Sequence, residues 1–380
     1  MRRAASAFLA AVSLFLTSSG PSAQDRATRI DASAVRGAID RALQVAPLRF
    51  EPLLAPAQTG VRVLNVDVRA VSDTAEQVTI DLSQRALTYD PSGDVEALVD
   101  RILTSTAAAT AGVRDVRYRF LVDGLPLDRF VSRVAPRVVS QPLRVADGSR
   151  VLVSAGHGWY WDSDVHAWRL QRDYYWNIVE DLVNWEIATY LWEELRSTNL
   201  EARPARRPDR EPVIGPSGNP QWQESAKYFI QSVGAPPDIW DVGTNDYNKD
   251  INSRPLYSNW IDAAALVSIH NNGGGGTGTE TWYDETNGFE DRSRRLAQMI
   301  NDRVVGEIRS HYKSDWPDRG LRSCNGCKGE NRLAARPAVI VEIAFMDTKA
   351  PDNAALHDDA FKRLVARAIR DAIADWAAED

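Results

Sequence analysis

Val151-Leu152-Val153-Ser154-Ala155-Gly156-His157-Gly158 is the stretch on which the reading of this chain turns. A β-branched apolar run leads into small residues, then a histidine between two glycines. The construction recurs at Leu266-Val267-Ser268-Ile269-His270-Asn271-Asn272-Gly273, and a third apolar run, Ala338-Val339-Ile340-Val341, ends on Glu342. Three apolar strands thus each deliver a ligand-grade or proton-carrying side chain at their C-terminal end. In an open α/β sheet that edge is where ligands bind. The pattern describes an enzyme built around a metal ion.

Around these strands, residues 148–380 alternate short apolar runs with amphipathic segments, the mark of an α/β domain with a mostly parallel sheet flanked by helices. Helices are expected over Trp176–Leu195, Glu290–Ser310 and Asn353–Trp376. Surface loops are expected at 201–208, which is rich in Pro and Arg, and at 234–249. Tryptophan is absent before Trp159, and Pro136, Pro142 and Gly148 punctuate the chain. That shift marks residues 136–147 as a linker. The preceding segment, 28–135, reads as a smaller α+β domain. Its strands are expected near Val61–Val68, Val78–Leu82 and Val116–Phe120, its helix over Asp94–Ala111 with Asp94 as N-cap, and its hairpin at Val122-Asp123-Gly124. It holds no His or Cys, so it reads as an accessory or packing domain.

The chain begins Met1-Arg2-Arg3, continues with an apolar run to Leu16 and reaches small residues up to Ala23. This is the pattern of a secretory signal peptide over 1–23, and it implies export to the periplasm or cell wall. The run is too short for a transmembrane anchor. The formal charge is −7 over 380 residues, which argues against a nucleic-acid partner, since that needs clustered positive charge.

A catalytic zinc takes three protein ligands and leaves a position open. His157 and His270 supply two imidazoles with no local motif joining them, so only the fold can bring them together. Glu180 and Glu186 are the candidates for the third ligand. Glu180 falls in the first helical turn near the strand ends, and Glu186 lies roughly 9 Å further along; Glu180 is the better placed. Glu342, after four apolar residues, suits a general base acting on the attacking water.

These residues resemble the zinc-dependent N-acetylmuramoyl-L-alanine amidases of the type 3 amidase family. The matching pieces run over most of 149–378: Gly156-His157-Gly158, Glu180 to Ala188, Ser253-Arg254, Ser268 to Asn272, Gly278 to Tyr283, and Pro337 to Met346. The resemblance implies zinc on His157, Glu180 and His270, with Glu342 as catalytic glutamate. It also implies substrate contacts from Asn271 and Glu280, peptidoglycan as the substrate, and cleavage of the amide between N-acetylmuramic acid and L-alanine. An activator protein is a partner such enzymes often need. Ser154-Ala155 stand where the family has Asp-Pro, and Trp159-Tyr160-Trp161 opens an extended stretch before Glu180. Val78 to Leu125 resembles a GerM-like domain.

Arg254 is open to two readings, a clamp for a substrate carboxylate or a structural ion pair. A carboxylate clamp would suit a zinc carboxypeptidase acting on stem peptides, and a wall-binding protein without catalysis is the other alternative. Trp159, Trp161, Trp168, Trp282 and Tyr283 are candidates for a glycan groove. His166, His311 and His357 read as surface residues. Cys324 and Cys327, in an exported chain, read as a disulfide that staples the loop before the Glu342 strand.

Overall fold

The computed structural model describes residues 29–44, 60–88, 95–131 and 150–379. The expected signal peptide, the 136–147 linker and Asp94 lie outside the described residues. In chain order the elements that matter are α1 (Ala32–Leu43), β1 (Val63–Ala70), β2 (Ala75–Leu82), α2 (Val95–Thr106), β3 (Asp115–Val122), β4 (Leu125–Pro126), β5 (Arg150–Ala155), α3 (Glu180–Leu195), β6 (Glu201–Pro204), α4 (Asp246–Trp260), β7 (Ala265–Asn272), β8 (Thr279–Asp284), α5 (Glu290–His311), β9 (Asp318–Cys324), α6 (Gly329–Arg332), β10 (Ala338–Phe345) and α7 (Asp359–Ala377).

All ten strands join in one sheet, ordered β1-β2-β3-β9-β8-β10-β7-β5-β6, with β4 paired to β3. Only the β1–β2, β3–β4 and β8–β10 pairs are antiparallel. The rest are parallel, as the continuous apolar runs require of strands covered on both faces. The fold is thus α/β with a mostly parallel sheet flanked by helices.

Side chains alternate along these strands, so each strand separates two environments. Val151, Val153, Val267, Ile269, Val339, Val341 and Ile343 point to one face. There they meet α3, α5 and α7 in the largest apolar core. The stripe Leu296, Ile300, Val304 and Ile308 on α5 is fully buried against it. The opposite face begins apolar, with Leu152, Leu266 and Ala338 under α4, and turns polar two residues on. Ser268 and His270 on β7 lie in register with Ile340 and Glu342 on β10.

The residues before 131 do not stand apart as a separate core. β3 pairs with β9 through Val116–Tyr118 and Arg322–Cys324. Trp282, Ile340, Cys324 and Cys327 share an apolar cluster with α1, α2 and β1 to β3. Asn325 pairs with both backbone groups of Phe120, at 2.9 and 3.1 Å. Arg319 donates to the Ala107 carbonyl, and Arg322 to those of Val113 and Arg114.

Three local expectations are corrected. The helix expected from Trp176 starts at Glu180, because Tyr174–Tyr175 and Ile178–Val179 form a hairpin whose turn, Trp176 and Asn177, has φ 43° and 66°. The Pro- and Arg-rich loop begins with strand β6, the parallel partner of β5. Its Arg206 is buried and donates to four backbone carbonyls, so it grips the fold and not a substrate. The last helix begins at Asp358-Asp359, where the Asp358 side chain caps it.

A shared sheet predicts shared unfolding. Thermal denaturation should give a single calorimetric transition for residues 29–379, and two resolved transitions would contradict the continuous core. Asn325→Ala strands two buried backbone groups and should cost about 2–3 kcal/mol in denaturant unfolding.

Candidate metal centre

His157 follows β5 directly and adopts φ 66°, a left-handed conformation uncommon outside glycine. Its neighbours hold it there. The Gly156 N–H donates to the Ile269 carbonyl at 3.0 Å, and the Gly158 N–H to the Asp181 carboxylate at 2.9 Å. Asp181, fully buried on the first turn of α3, also accepts the backbone N–H groups of Gln171 and Arg172. One side chain thereby ties two loops to the helix that carries Glu180. Gly156 has a second duty. A Cβ there would lie 2.2 Å from the His270 ring, so only glycine lets the two imidazoles approach.

The result is a compact group. His157, Glu180 and His270 are buried, and their ligand atoms lie within 4.8 Å of one another. Glu180 Oε1 is 3.2 Å from His157 Nε2 and 3.0 Å from His270 Nδ1. Tetrahedral ligands at ordinary zinc distances are about 3.3 Å apart, so the three atoms fit around one ion. His157 Nε2 is buried with no hydrogen-bond partner, which is the lone pair a cation would use. Among the described residues this is the one such group of His, Cys, Asp and Glu.

The outward-facing nitrogens are both engaged. His157 Nδ1 meets Gln171 Oε1 at 2.8 Å, and His270 Nε2 meets Glu330 Oε1 at 3.1 Å. Hydrogen bonds of this kind fix tautomer and ring orientation in metal sites. Gln171 donates in turn to Asp250 at 2.9 Å, and Arg254 joins Asp250 to Glu330 with 2.5 Å contacts to each. Ser268 donates to the remaining Glu330 oxygen. Arg254 is fully buried in this chain of contacts, so the carboxylate-clamp reading is corrected: its partners are the protein's own carboxylates. Glu186 binds Lys362 and Arg210 away from the centre, so of the two glutamates Glu180 is the one that could serve as a ligand.

Burial lowers the His270 pKa, but Glu330 and Glu180 outweigh it and hold the ring at about 9. His157 goes the other way, lowered by burial and by Arg172. Glu342 sits within β10, three residues short of its end, with its Oε2 buried and unpartnered. Burial, assisted by the nearby Glu180, pushes its carboxyl up to about 8 against the pull of His270 and Lys328; a cation on the three ligands would favour its ionised form.

His157, Glu180, His270 and Glu342 line one cavity of 520 Å³. Asn271 lines it too, donating to Asn184, which steadies Glu180 from one helical turn away at 3.0 Å. Glu280 faces the same cavity but is neutralised by buried Arg319 and Arg322, which outweigh the cost of burial and bring it down to about 2. Of the aromatic candidates Trp282 lines the cavity, whereas Trp159, Trp161, Trp168 and Tyr283 do not. The surface reading of His166, His311 and His357 matches their exposure. Cys324 and Cys327 are bridged, on the loop that leads to Lys328 and Glu330.

Several contributors have no motif. Gln171, Asp250 and Glu330 are ordinary polar residues in sequence. α2, from the segment read as accessory, supplies a cavity wall through Glu96, Asp100, Leu103 and Thr104. Asp100 binds both Lys328 and Arg172, at 2.6 and 3.4 Å.

A model of the N-acetylmuramoyl-L-alanine amidase family matches residues 151–375. The chain belongs to this family. It is an amide hydrolase of the N-acetylmuramoyl-L-alanine amidase class. Solved structures give weaker likenesses. An N-acetylmuramoyl-L-alanine amidase from Clostridium difficile 630 is 20% identical over 62% of this chain and 100% of its own, at TM-score 0.42. The Mycobacterium smegmatis amidase Ami1 is 16% identical over 62% and 99%, also at 0.42. The CwlD amidase from Clostridioides difficile, solved in complex with the GerS lipoprotein, is 17% identical over 61% and 100%, at 0.39. At these scores they add nothing to the family assignment. A search of curated proteins found no match.

Two tests follow from the geometry. Gly156→Ala should displace the His270 ring and weaken Zn²⁺ binding at least tenfold in a chelator competition; unchanged affinity would refute the close-approach argument. Below pH 9 an ion must also displace the proton on His270, so affinity should rise with pH, by up to tenfold per unit. A flat profile between pH 6 and 8 would contradict the His270 assignment.

Proposed function

We propose that the chain is a zinc-dependent peptidoglycan amidase that hydrolyses the amide between the lactyl group of N-acetylmuramic acid and the first L-alanine of the stem peptide. The observation that carries the reading is the position of Glu342. Its free carboxylate oxygen shares a cavity with three ligand atoms, in register with His270 on the neighbouring strand. A binding protein needs no such base.

His157 Nε2, Glu180 Oε1 and His270 Nδ1 would hold the ion. Bound there, zinc supplies Lewis-acid polarisation of the scissile carbonyl and acidifies the attacking water. Glu342 takes a proton from that water as its oxygen adds to the carbonyl carbon. The same carboxyl then delivers the proton to the alanine nitrogen as the C–N bond breaks. Gln171 and Glu330 keep both imidazoles oriented. Arg172 stands 3.3 Å from the second oxygen of Glu180 and restrains it. Trp282 and Leu103 give the cavity apolar wall. The carboxypeptidase alternative drew on Arg254 as a clamp, and the burial of Arg254 removes that support.

Export to the periplasm or cell wall is part of the proposal and rests on the sequence of residues 1–23. The GerM-like reading of the N-terminal segment rests on the order β2, α2, β3, hairpin. Among the described residues no helix is long and apolar enough to cross a membrane. An activator protein remains part of the reading.

Digestion of purified sacculi, analysed by mass spectrometry, tests this directly. Free stem peptides beginning with L-alanine are expected, and they should vanish with chelator. Shortened stems still attached to sugar would indicate a carboxypeptidase instead. Glu342→Gln should lose about 10²–10⁴-fold in kcat while binding zinc at full stoichiometry; a fully active variant would remove Glu342 from the mechanism.

A further inference from the structure

Tyr174, Tyr175 and Trp176 form a run of exposed aromatic residues, 59%, 39% and 46% exposed, at the tip of the hairpin that feeds α3. Tyr175 also lines the catalytic cavity, and the hairpin ends one residue before the ligand Glu180. Trp176 packs beside Tyr175, ring centres 6.5 Å apart, so this pair is continuous with the cleft.

The tip is held in place. Tyr174 pairs with Val179, and Tyr175 with Ile178. Asn353 donates to the Tyr175 carbonyl at 3.0 Å, and the His357 ring meets the Trp176 carbonyl at 2.9 Å. Trp176 occupies the first position of the two-residue turn at φ 43°. Such turns favour Asn, Asp or Gly, and a bulky residue with positive φ is an outlier. Tryptophan there does nothing for the turn and little for the core. Its indole faces solvent in a backbone conformation that opposes it, which points to a role outside folding.

We propose that Tyr175 and Trp176 are a saccharide platform that seats the glycan strand beside the candidate metal centre. The proposal rests on the amidase reading. In that substrate the scissile carbonyl hangs from a sugar through a short lactyl arm, so sugar rings must pass along the rim next to the ligands. Pyranose faces present C–H groups that suit flat aromatic surfaces, and a pinned hairpin offers them with little ordering cost on binding. The surroundings are acidic on balance, with Asp347 and Asp173 set against Arg172 around Tyr175 and a net charge of −7 on the chain, which disfavours an anionic membrane.

The test separates polymer binding from chemistry in the full-length protein. Trp176→Asn and Trp176→Gly both keep a residue that tolerates the turn. Each should weaken cosedimentation with peptide-free glycan strands about tenfold. KM on intact sacculi should rise by a similar factor, with kcat on a short soluble muramoyl peptide unchanged. Wild-type glycan binding and wild-type KM in both variants would overturn the platform. So would a loss of kcat on the short substrate equal to that on sacculi, which marks a merely structural hairpin, or binding to phosphatidylglycerol vesicles in place of glycan. If the wild type binds glycan through the hairpin yet releases no stem peptide, the platform stands and the amidase reading falls.

Discussion

The structure depends on keeping two imidazoles edge to face, 4.9 Å between ring centres, inside a buried cavity. Packing alone does not set the rings, since His157 Nε2 and His270 Nδ1 both turn to the same oxygen of Glu180. The solution is a ring of polar contacts running His157, Gln171, Asp250, Arg254, Glu330, His270. Arg254 balances two buried carboxylates. They hold its pKa above the ordinary value, while Arg254 and His270 hold Glu330 well below its own despite the cost of burial. Removing one member of such a buried set typically costs about 3–5 kcal/mol, since the remaining charges lose their compensation. The ring is thus expensive to break, and its two ends terminate on the two histidines.

The sheet explains why a polar ring can survive in an apolar core. Period-two alternation sends Val267, Ile269, Val339 and Val341 into the dry layer beneath α3, α5 and α7. The intervening residues are then free to be Ser268, His270 and Glu342 on the other face. That face is covered from two sides, by α4 and by the cluster containing α1 and α2. Buried Arg319 and Arg322 neutralise Glu280, directly across from Glu342, so that one of these paired carboxylates is balanced by cations and the other is left free.

Much of this was legible in the residues. Apolar runs of strand length followed by Gly-His-Gly, or ending on Glu, are strong local signals, and they placed His270 and Glu342 on, and His157 just after, strands that the fold brings together. Glu180 is expected nearer the histidines than Glu186, and the structure groups it with them, although its helix begins at Glu180 itself and not at Trp176. Gln171, Asp250 and Glu330 were not legible, because a hydrogen bond across the chain leaves no periodicity or spacing behind. Arg254 was ambiguous for the same reason: its partners lie 4 and 76 residues away, and only burial decides between clamp and ion pair. The N-terminal segment was read as accessory because it lacks His and Cys, yet walls need neither. Asp100 contributes through charge and position alone.

These origins divide the site into two kinds of material. The candidate ligands and the proposed base sit on strand ends, a strand interior and a helix start, where backbone hydrogen bonds fix them. Part of the remaining cavity wall arrives on connections and on the appended edge of the sheet. The stretch between His157 and Glu180 supplies Gln171, Arg172 and the aromatic hairpin. The disulfide loop supplies Lys328 and leads into Glu330, and α2 reaches in from the edge of the sheet with Asp100. Asp100 is the junction of all three, since it binds Arg172 from the first and Lys328 from the second. Its own carboxyl, raised by burial, is brought down to about 2 by those two cations. A cleft assembled this way can alter what it accepts by changing loops and an appended sheet edge, while the strands and helix start that carry the candidate ligands and the proposed base stay as they are.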